Sequence, residues 1–193
     1  MIIGVTGPSG AGKSLVCRHL AEVFGFWLID CDEYARKAVC DKMLKELTDC
    51  FGKQILNDDG TLNRRALAAA AFASKELTDR LNSITHPYII GLVERDIDKY
   101  KNVILDAPTL FESGLYKRCD ATFAVLASKE LRSSRILLRD KLTQSQLNDR
   151  QKAAKEDEFY TAKTDKIIIN NGNIEALKSA AEKMLGEIIG GKL

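Results

Sequence analysis

Gly7-Pro8-Ser9-Gly10-Ala11-Gly12-Lys13-Ser14 is the stretch on which the reading of this chain turns. It matches G-x-x-x-x-G-K-S/T, the pattern of a loop that wraps nucleotide phosphates, and it meets the requirement that a strand precede it and a helix follow it. Glycines let such a loop curl until successive backbone N–H groups point at phosphate oxygens, and the N-terminus of the next helix adds its positive dipole end. Gly7, Gly10, Ala11, Gly12, Lys13, Ser14 and Leu15 therefore form the expected ATP-binding segment. Within it Lys13 is expected to span the β- and γ-phosphates, and the Ser14 hydroxyl to ligate Mg²⁺. The plain alternative, a glycine-rich turn that only joins strand to helix, is disfavoured by the flanking strand and helix, which are those the motif requires.

Outward from the loop, short β-rich runs alternate with longer helical patterns, the signature of an α/β fold: a parallel sheet flanked by helices. The expected strands are residues 1–6, 26–30, 102–106, 121–126 and 166–170, each a continuous apolar run of the kind buried on both faces. About 70 residues without a convincing strand separate the second from the third, far more than the ~10–15 of an ordinary crossover helix, so an inserted helical unit is expected there. Inside it Asp58-Asp59-Gly60 reads as a turn, and residues 63–73, with their alanine run, as a helix. A further helix is expected to end near His86, because Pro87 disfavours the α conformation of the residue before it. Residues 129–140 read as a helix, 141–163 as a polar, mobile stretch with few apolar anchors, and 173–189 as an amphipathic helix. The expected organisation is a P-loop kinase-like core (1–32, 101–138 and 164–193), an inserted acceptor-binding unit (33–100) and a helical lid (139–163).

Composition narrows the function. The 193 residues carry 29 Lys and Arg against 27 Asp and Glu; a net charge of +2 gives no general attraction to nucleic acid or to an anionic membrane. Neither is expected as a partner. Five cysteines, widely spaced and without a C-x-x-C pair, read as reduced thiols, and no apolar run approaches the ~18 residues of a membrane span. A cytoplasmic location is expected. A guanine-reading N-K-x-D is missing, since Ala162-Lys163-Thr164-Asp165 lacks the Asn and comes before a strand.

Carboxylates and arginines supply the remaining candidates. Asp30-Cys31-Asp32 stands at the carboxyl end of the second strand, the edge where open parallel sheets assemble their sites. Asp32 is read either as the base beside an acceptor hydroxyl or, with Asp30, as a strand terminus or helix cap. Asp106 ends Val103-Ile104-Leu105-Asp106 as a Mg²⁺-holding carboxylate does; a strand-ending Asp is also a common turn residue. Arg64 and Arg65 are adjacent on a helix and point ~100° apart, so both cannot serve one ligand equally. Arg135 and Arg139, four apart, share a helix face suited to ATP phosphates; the alternative is an exposed basic face. His86 before Pro87 reads as structural.

With these pieces in place, the chain resembles the dephospho-CoA kinases almost end to end. The resemblance rests on the phosphate loop after Ile3-Gly4-Val5-Thr6, on Asp30-Cys31-Asp32 with Ala35-Arg36, and on Asp59-Gly60-Thr61-Leu62-Asn63-Arg64-Arg65-Ala66-Leu67. It continues through His86-Pro87, Asp106-Ala107-Pro108-Thr109-Leu110-Phe111-Glu112, Arg135 and Arg139, and Asn170-Asn171-Gly172. Order and spacing carry it, since none of these beyond the loop is specific alone. It implies ATP-dependent phosphorylation of the ribose 3′-hydroxyl of dephospho-CoA, with Asp32 as catalytic base beside Lys13. It further implies Asn171 among the ATP contacts, and Asp32, Arg64, Arg65, His86, Pro108 and Leu110 on the CoA side. Cys31 stands where the family has Ala and Thr109 where it has Leu. In the lid Arg150 is kept, but Ala154 and Tyr160 replace Gln and Lys. A kinase for another small alcohol and a nucleotide-dependent switch are the competing readings; the inserted unit and the lid arginines disfavour the switch, which needs no acceptor pocket. Oligomeric state is not legible.

Overall fold

The structure, a computed structural model, describes residues 1–140, 143–152 and 154–191. Two compact units divide it: a core made of residues 1–30 and the chain from Lys99 on, and a helical unit, Cys31–Asp98.

The core is built on five parallel strands, β1 (Ile2–Thr6), β2 (Trp27–Asp30), β3 (Val103–Asp106), β4 (Ala121–Leu126) and β5 (Lys166–Ile169), in the order β2-β3-β1-β4-β5. Helices along the chain are α1 (Lys13–Phe24), then α2 (Cys31–Lys37), α3 (Asp41–Phe51), α4 (Arg64–Ala71) and α5 (Lys75–Ile97) of the helical unit, then α6 (Lys129–Asp140), α7 (Gln144–Lys152), α8 (Asp157–Thr161) and α9 (Ile174–Ile189). β3, β1 and β4 are buried along almost their whole length because helices cover both faces, and their residues are mostly apolar for that reason. On one face Ile3, Val5, Phe123 and Val125 meet Val16, Leu20 of α1 and Leu177, Ala181, Leu185, Ile188 of α9, the last four spaced as one helix stripe. Burying each large side chain of that stripe contributes roughly 1.5–3 kcal/mol. Ala124 and Leu126, of opposite parity on β4, meet Tyr160 and Phe159 of α8 on the other face.

Two sequence expectations need correction. The edge strands β2 and β5 are not buried on both faces: Trp27 of β2 is 45% exposed, and β5 buries Ile168 but leaves Ile169 58% exposed. The second concerns Pro87, which lies inside α5 instead of ending it near His86. Leu77, Leu81, Ile84, Tyr88 and Leu92 form one stripe on both sides of the proline, packed on Met43, Leu47 and Phe51 of α3. That shared burial offsets the roughly 3 kcal/mol that a proline costs inside a helix. Elsewhere in this unit Asn63 caps α4 by accepting from Ala66 N at 3.0 Å. Asp58-Asp59-Gly60 forms a turn held by Thr61, whose hydroxyl and N–H both donate to the Asp59 carboxylate. Those bonds hold the Asp59 carboxyl below its ordinary range.

The polar stretch after α6 contains α7 and α8, and buried Leu147 and Tyr160 are anchors the polarity of this stretch conceals. The lid expected over 139–163 includes Lys141, Leu142 and Ala153, which lie outside the described residues, as does the Arg150 side chain.

Candidate active site

β1 lies between β3 and β4, and the chain crosses over it in passing from one to the other. The carboxyl end of β1 is therefore the switch point where sheets of this kind bind ligands. Gly7 leaves β1 there with φ +135°, and a Cβ on it would stand 2.2 Å from the Val125 carbonyl oxygen. Only glycine fits so close to β4. The loop ends on Gly12, also in the left-handed region, which precedes α1 without a side-chain cap. An anion can thus meet the N-terminus of α1 directly.

Parallel register sets Asp106 level with Val5 on β1 and with Asp30 on β2. It brings the buried Asp106 carboxylate under the start of α1, where Ser14 Oγ donates to Asp106 Oδ2 at 2.6 Å. Lys13 is also buried, its Nζ donating to the Pro8 carbonyl across the loop at 3.3 Å. Lys13, Ser14 and Asp106 are thus gathered at one point, as a nucleotide–metal site requires. Among the described residues no group of three or more His, Cys, Asp or Glu could hold a metal ion. One hydroxyl and one carboxylate suit a hard cation that takes its remaining ligands from water and phosphate.

Other predicted residues are placed as follows. Arg135 donates from Nη1 to the Gly10 carbonyl at 3.3 Å and from Nη2 to the Asn170 carbonyl at 3.2 Å, so it braces the loop. Arg139, a turn further along α6, makes a two-bond pair with Asp140 at 2.6 and 2.9 Å. Asn171 accepts from Ser128 N at 2.8 Å and joins the exits of β4 and β5. The Pro108 carbonyl accepts from the Thr6 hydroxyl at 3.2 Å, while Leu110 has no exposed surface and packs against Gly4. In the helical unit Asp32 is exposed in the first turn of α2, and His86 is half-buried in α5. Arg64 and Arg65 are both exposed at the start of α4, where Arg64 donates to the Arg36 carbonyl at 3.2 Å.

Three features escaped the sequence reading. Asn170 is buried at the end of β5 and donates to the Ala11 carbonyl at 2.7 Å. Arg132, buried on α6, pairs with Asp157 at 3.3 Å, beside a Lys129–Glu156 pair at 2.9 Å. The Glu156 carboxylate raises the Lys129 pKa, and Lys129 lowers that of Glu156. Tyr160, at a polar position of the lid pattern, is a core residue whose hydroxyl is pushed up to about 12 by burial. Beside the loop, Gly12, Leu15, Arg135, Asn170, Ile174 and Leu177 line part of a cleft of about 630 Å³.

Comparison with known proteins agrees with this geometry. The family model for dephospho-CoA kinase matches residues 1–176. The chain belongs to the dephospho-CoA kinase family. It is 37% identical over 188 residues to a dephospho-CoA kinase of Fusobacterium nucleatum, covering 95% of this chain and 96% of the relative. A solved dephospho-CoA kinase from Campylobacter jejuni, 26% identical, superimposes with a TM-score of 0.66, covering 100% of this chain and 98% of the other. A crystal structure from Thermus thermophilus, 30% identical, gives 0.81 with 97% of each chain covered. Like the named members of the dephospho-CoA kinase family, the chain is a kinase, and its sheet with flanking helices is the P-loop kinase architecture.

Proposed function

We propose that this enzyme transfers the γ-phosphoryl group of ATP to the ribose 3′-hydroxyl of dephospho-CoA, giving coenzyme A and ADP, the last step of coenzyme A biosynthesis, in the cytoplasm. The observation that carries the nucleotide half is the Ser14–Asp106 hydrogen bond under the phosphate loop. Such a hydroxyl and such a carboxylate would hold the cation that neutralises phosphate charge in P-loop kinases.

Each residue then has a task. Backbone N–H groups from Gly7 to Leu15 hold the phosphates, and Lys13 turns from the Pro8 carbonyl to neutralise charge between β and γ. Ser14 and Asp106 are the residues that would hold Mg²⁺, which when bound neutralises charge on the phosphate oxygens. The cleft beside Leu15 and Ile174 receives the nucleoside. Asp32 follows β2 by two residues; its carboxylate orients the 3′-hydroxyl and accepts its proton as the oxygen attacks phosphorus in line. The helical unit, with Arg64, Arg65 and His86, serves the CoA side, as does Pro108; Leu110, expected there too, has no exposed surface and instead supports its segment from within the core. Residues 139–163, with Arg139 and Asn171, close over ATP.

A coupled assay of ADP formation, run with dephospho-CoA, with other nucleosides and with no acceptor, tests the assignment. Turnover that depends on dephospho-CoA is expected. Equal rates with an unrelated nucleoside would mean a different kinase, and slow hydrolysis indifferent to acceptor would mean a nucleotide switch.

A further inference from the structure

Asn170 stands apart from the rest of the phosphate site. It is a polar side chain only 6% exposed, brought to the loop by the end of β5, 159 residues away along the chain from its partner. Its Nδ2 donates to the Ala11 carbonyl at 2.7 Å, a short and well-formed bond. A second donor acts one peptide earlier, where Arg135 Nη1 meets the Gly10 carbonyl at 3.3 Å.

A peptide group is planar and trans, so its C=O and its N–H point in opposite directions. Holding a carbonyl from outside the loop therefore aims the following N–H inward. Of the two peptides held in this way, the first sends its N–H, on Ala11, to the Pro8 carbonyl at 3.3 Å within the loop. The second, between Ala11 and Gly12, aims the Gly12 N–H to the side where phosphate binds. Asn170 also fits the backbone at Gly12 closely: a Cβ there would come within 2.4 Å of Nδ2. Gly12 and Asn170 are a matched pair in which the absent side chain of one makes room for the amide of the other.

We infer that Asn170 is a positioning residue for phosphoryl transfer: through the Ala11 carbonyl it fixes the direction of the Gly12 N–H, and so sets affinity for the β-phosphate of the nucleotide. Arg135 supports it, because its Nη2 holds the Asn170 carbonyl at 3.2 Å and keeps the end of β5 against the loop. This inference rests on the reading of residues 7–14 as a phosphate site. Asn170 also lines the cleft assigned to the nucleoside, but its amide nitrogen is committed to the Ala11 carbonyl, so losing that bond acts chiefly on nucleotides that carry a β-phosphate.

The test compares ADP with AMP. Asn170→Asp keeps the shape of the side chain but replaces the donor with a carboxylate that faces the Ala11 oxygen. Asn170→Ser removes the amide with less electrostatic penalty, and serves if the first variant does not fold. Calorimetric titration should show ADP affinity falling by ~10-fold or more, while AMP affinity stays within about two-fold of the wild-type value. In turnover, KM for ATP should rise while KM for dephospho-CoA is unchanged. A purely structural asparagine would lower the melting temperature and leave the ADP-to-AMP ratio where it was, and that result in a folded variant overturns the inference. Failure of the wild-type protein to favour ADP over AMP would instead overturn the phosphate-site reading beneath it.

Discussion

The two units of this chain hold their residues in place by different physical means. In the core, the candidate phosphate loop takes its shape from backbone, with the side chains of Lys13, Ser14 and Asp106 set around it. Gly7 and Gly12 take conformations closed to other residues, and neighbouring groups, the Val125 carbonyl and the Asn170 amide, stand where a Cβ would be. In the helical unit the shape comes from side chains, with Met43, Leu47 and Phe51 of α3 packed on a stripe of α5, and Asp32, Arg64 and Arg65 stand exposed while His86 is half-buried. A site made of backbone tolerates almost no substitution, because each replacement moves an atom that cannot rotate away. A site made of exposed side chains on packed helices should lose one contact at a time.

The largest effect that could break this contrast is at Lys13. Lys13→Ala should reduce transfer to background while the melting temperature changes little, since the lysine acts on the phosphates and contributes little to the apolar core. Turnover near the wild-type level would remove the phosphate loop from the chemistry. Next in size is Asp32→Asn, which keeps the side-chain volume but cannot accept the acceptor's proton. Turnover at saturating ATP and dephospho-CoA should fall by at least ~100-fold with ATP affinity preserved. Glu33→Gln is the control, because Glu33 is exposed and paired with Lys37 on the same helix at 2.7 Å. If Asp32 were only a helix cap, Asn would cap as well, and both variants would keep full rate.

The same contrast explains what could be read in advance. Gly7 to Ser14 announced its place between β1 and α1, because such a loop demands particular residues at particular spacings. Asp106 was legible too, since an apolar run ending in a carboxylate fixes where on the sheet edge the charge emerges. Asn170 was not, for its partner is a carbonyl 159 residues away and a carbonyl leaves no trace in sequence. Arg135 and Arg139 looked equivalent by spacing, yet one reaches the loop and the other pairs with Asp140. Leu147 and Tyr160 were hidden by the polar residues around them. Pro87 misled because a local rule about the residue before proline was outweighed by tertiary packing along α5.

A smaller test concerns that helix. If packing on both sides holds α5 continuous through Pro87, then Pro87→Ala restores a backbone donor and removes a ring that crowds the preceding turn. Thermal unfolding should shift upward, by the equivalent of ~1 kcal/mol after allowing for the greater freedom of the unfolded chain. A lower melting temperature would mean that the proline is required by the local geometry.

The smallest expected effect compares one thiol from each unit. Cys40 is exposed ahead of α3 in the helical unit, while Cys119 lies close under Gly4 in the core and donates to the Leu115 carbonyl at 3.5 Å. Burial first, and then the Asp120 and Asp165 charges, push the Cys119 thiol up to about 12. The thiolate is the reactive form, so at pH 8 only ~10⁻⁴ of Cys119 is available, and raising the pH to 10 still leaves about 1%. Mass spectrometry after brief iodoacetamide treatment should find Cys40 modified and Cys119 untouched at both pH values, with kinase turnover little changed. Because the folded state holds this proton more tightly than the unfolded chain, whose thiol titrates near 9, the stability that Cys119 contributes is present below pH 9 and is lost as the pH rises toward 12. Alkylation of Cys119 at pH 8 at a rate comparable to Cys40 would mean that the core opens at β1 far more often than its packing implies, and would erase the contrast between a rigid backbone site and a helical unit with accessible side chains.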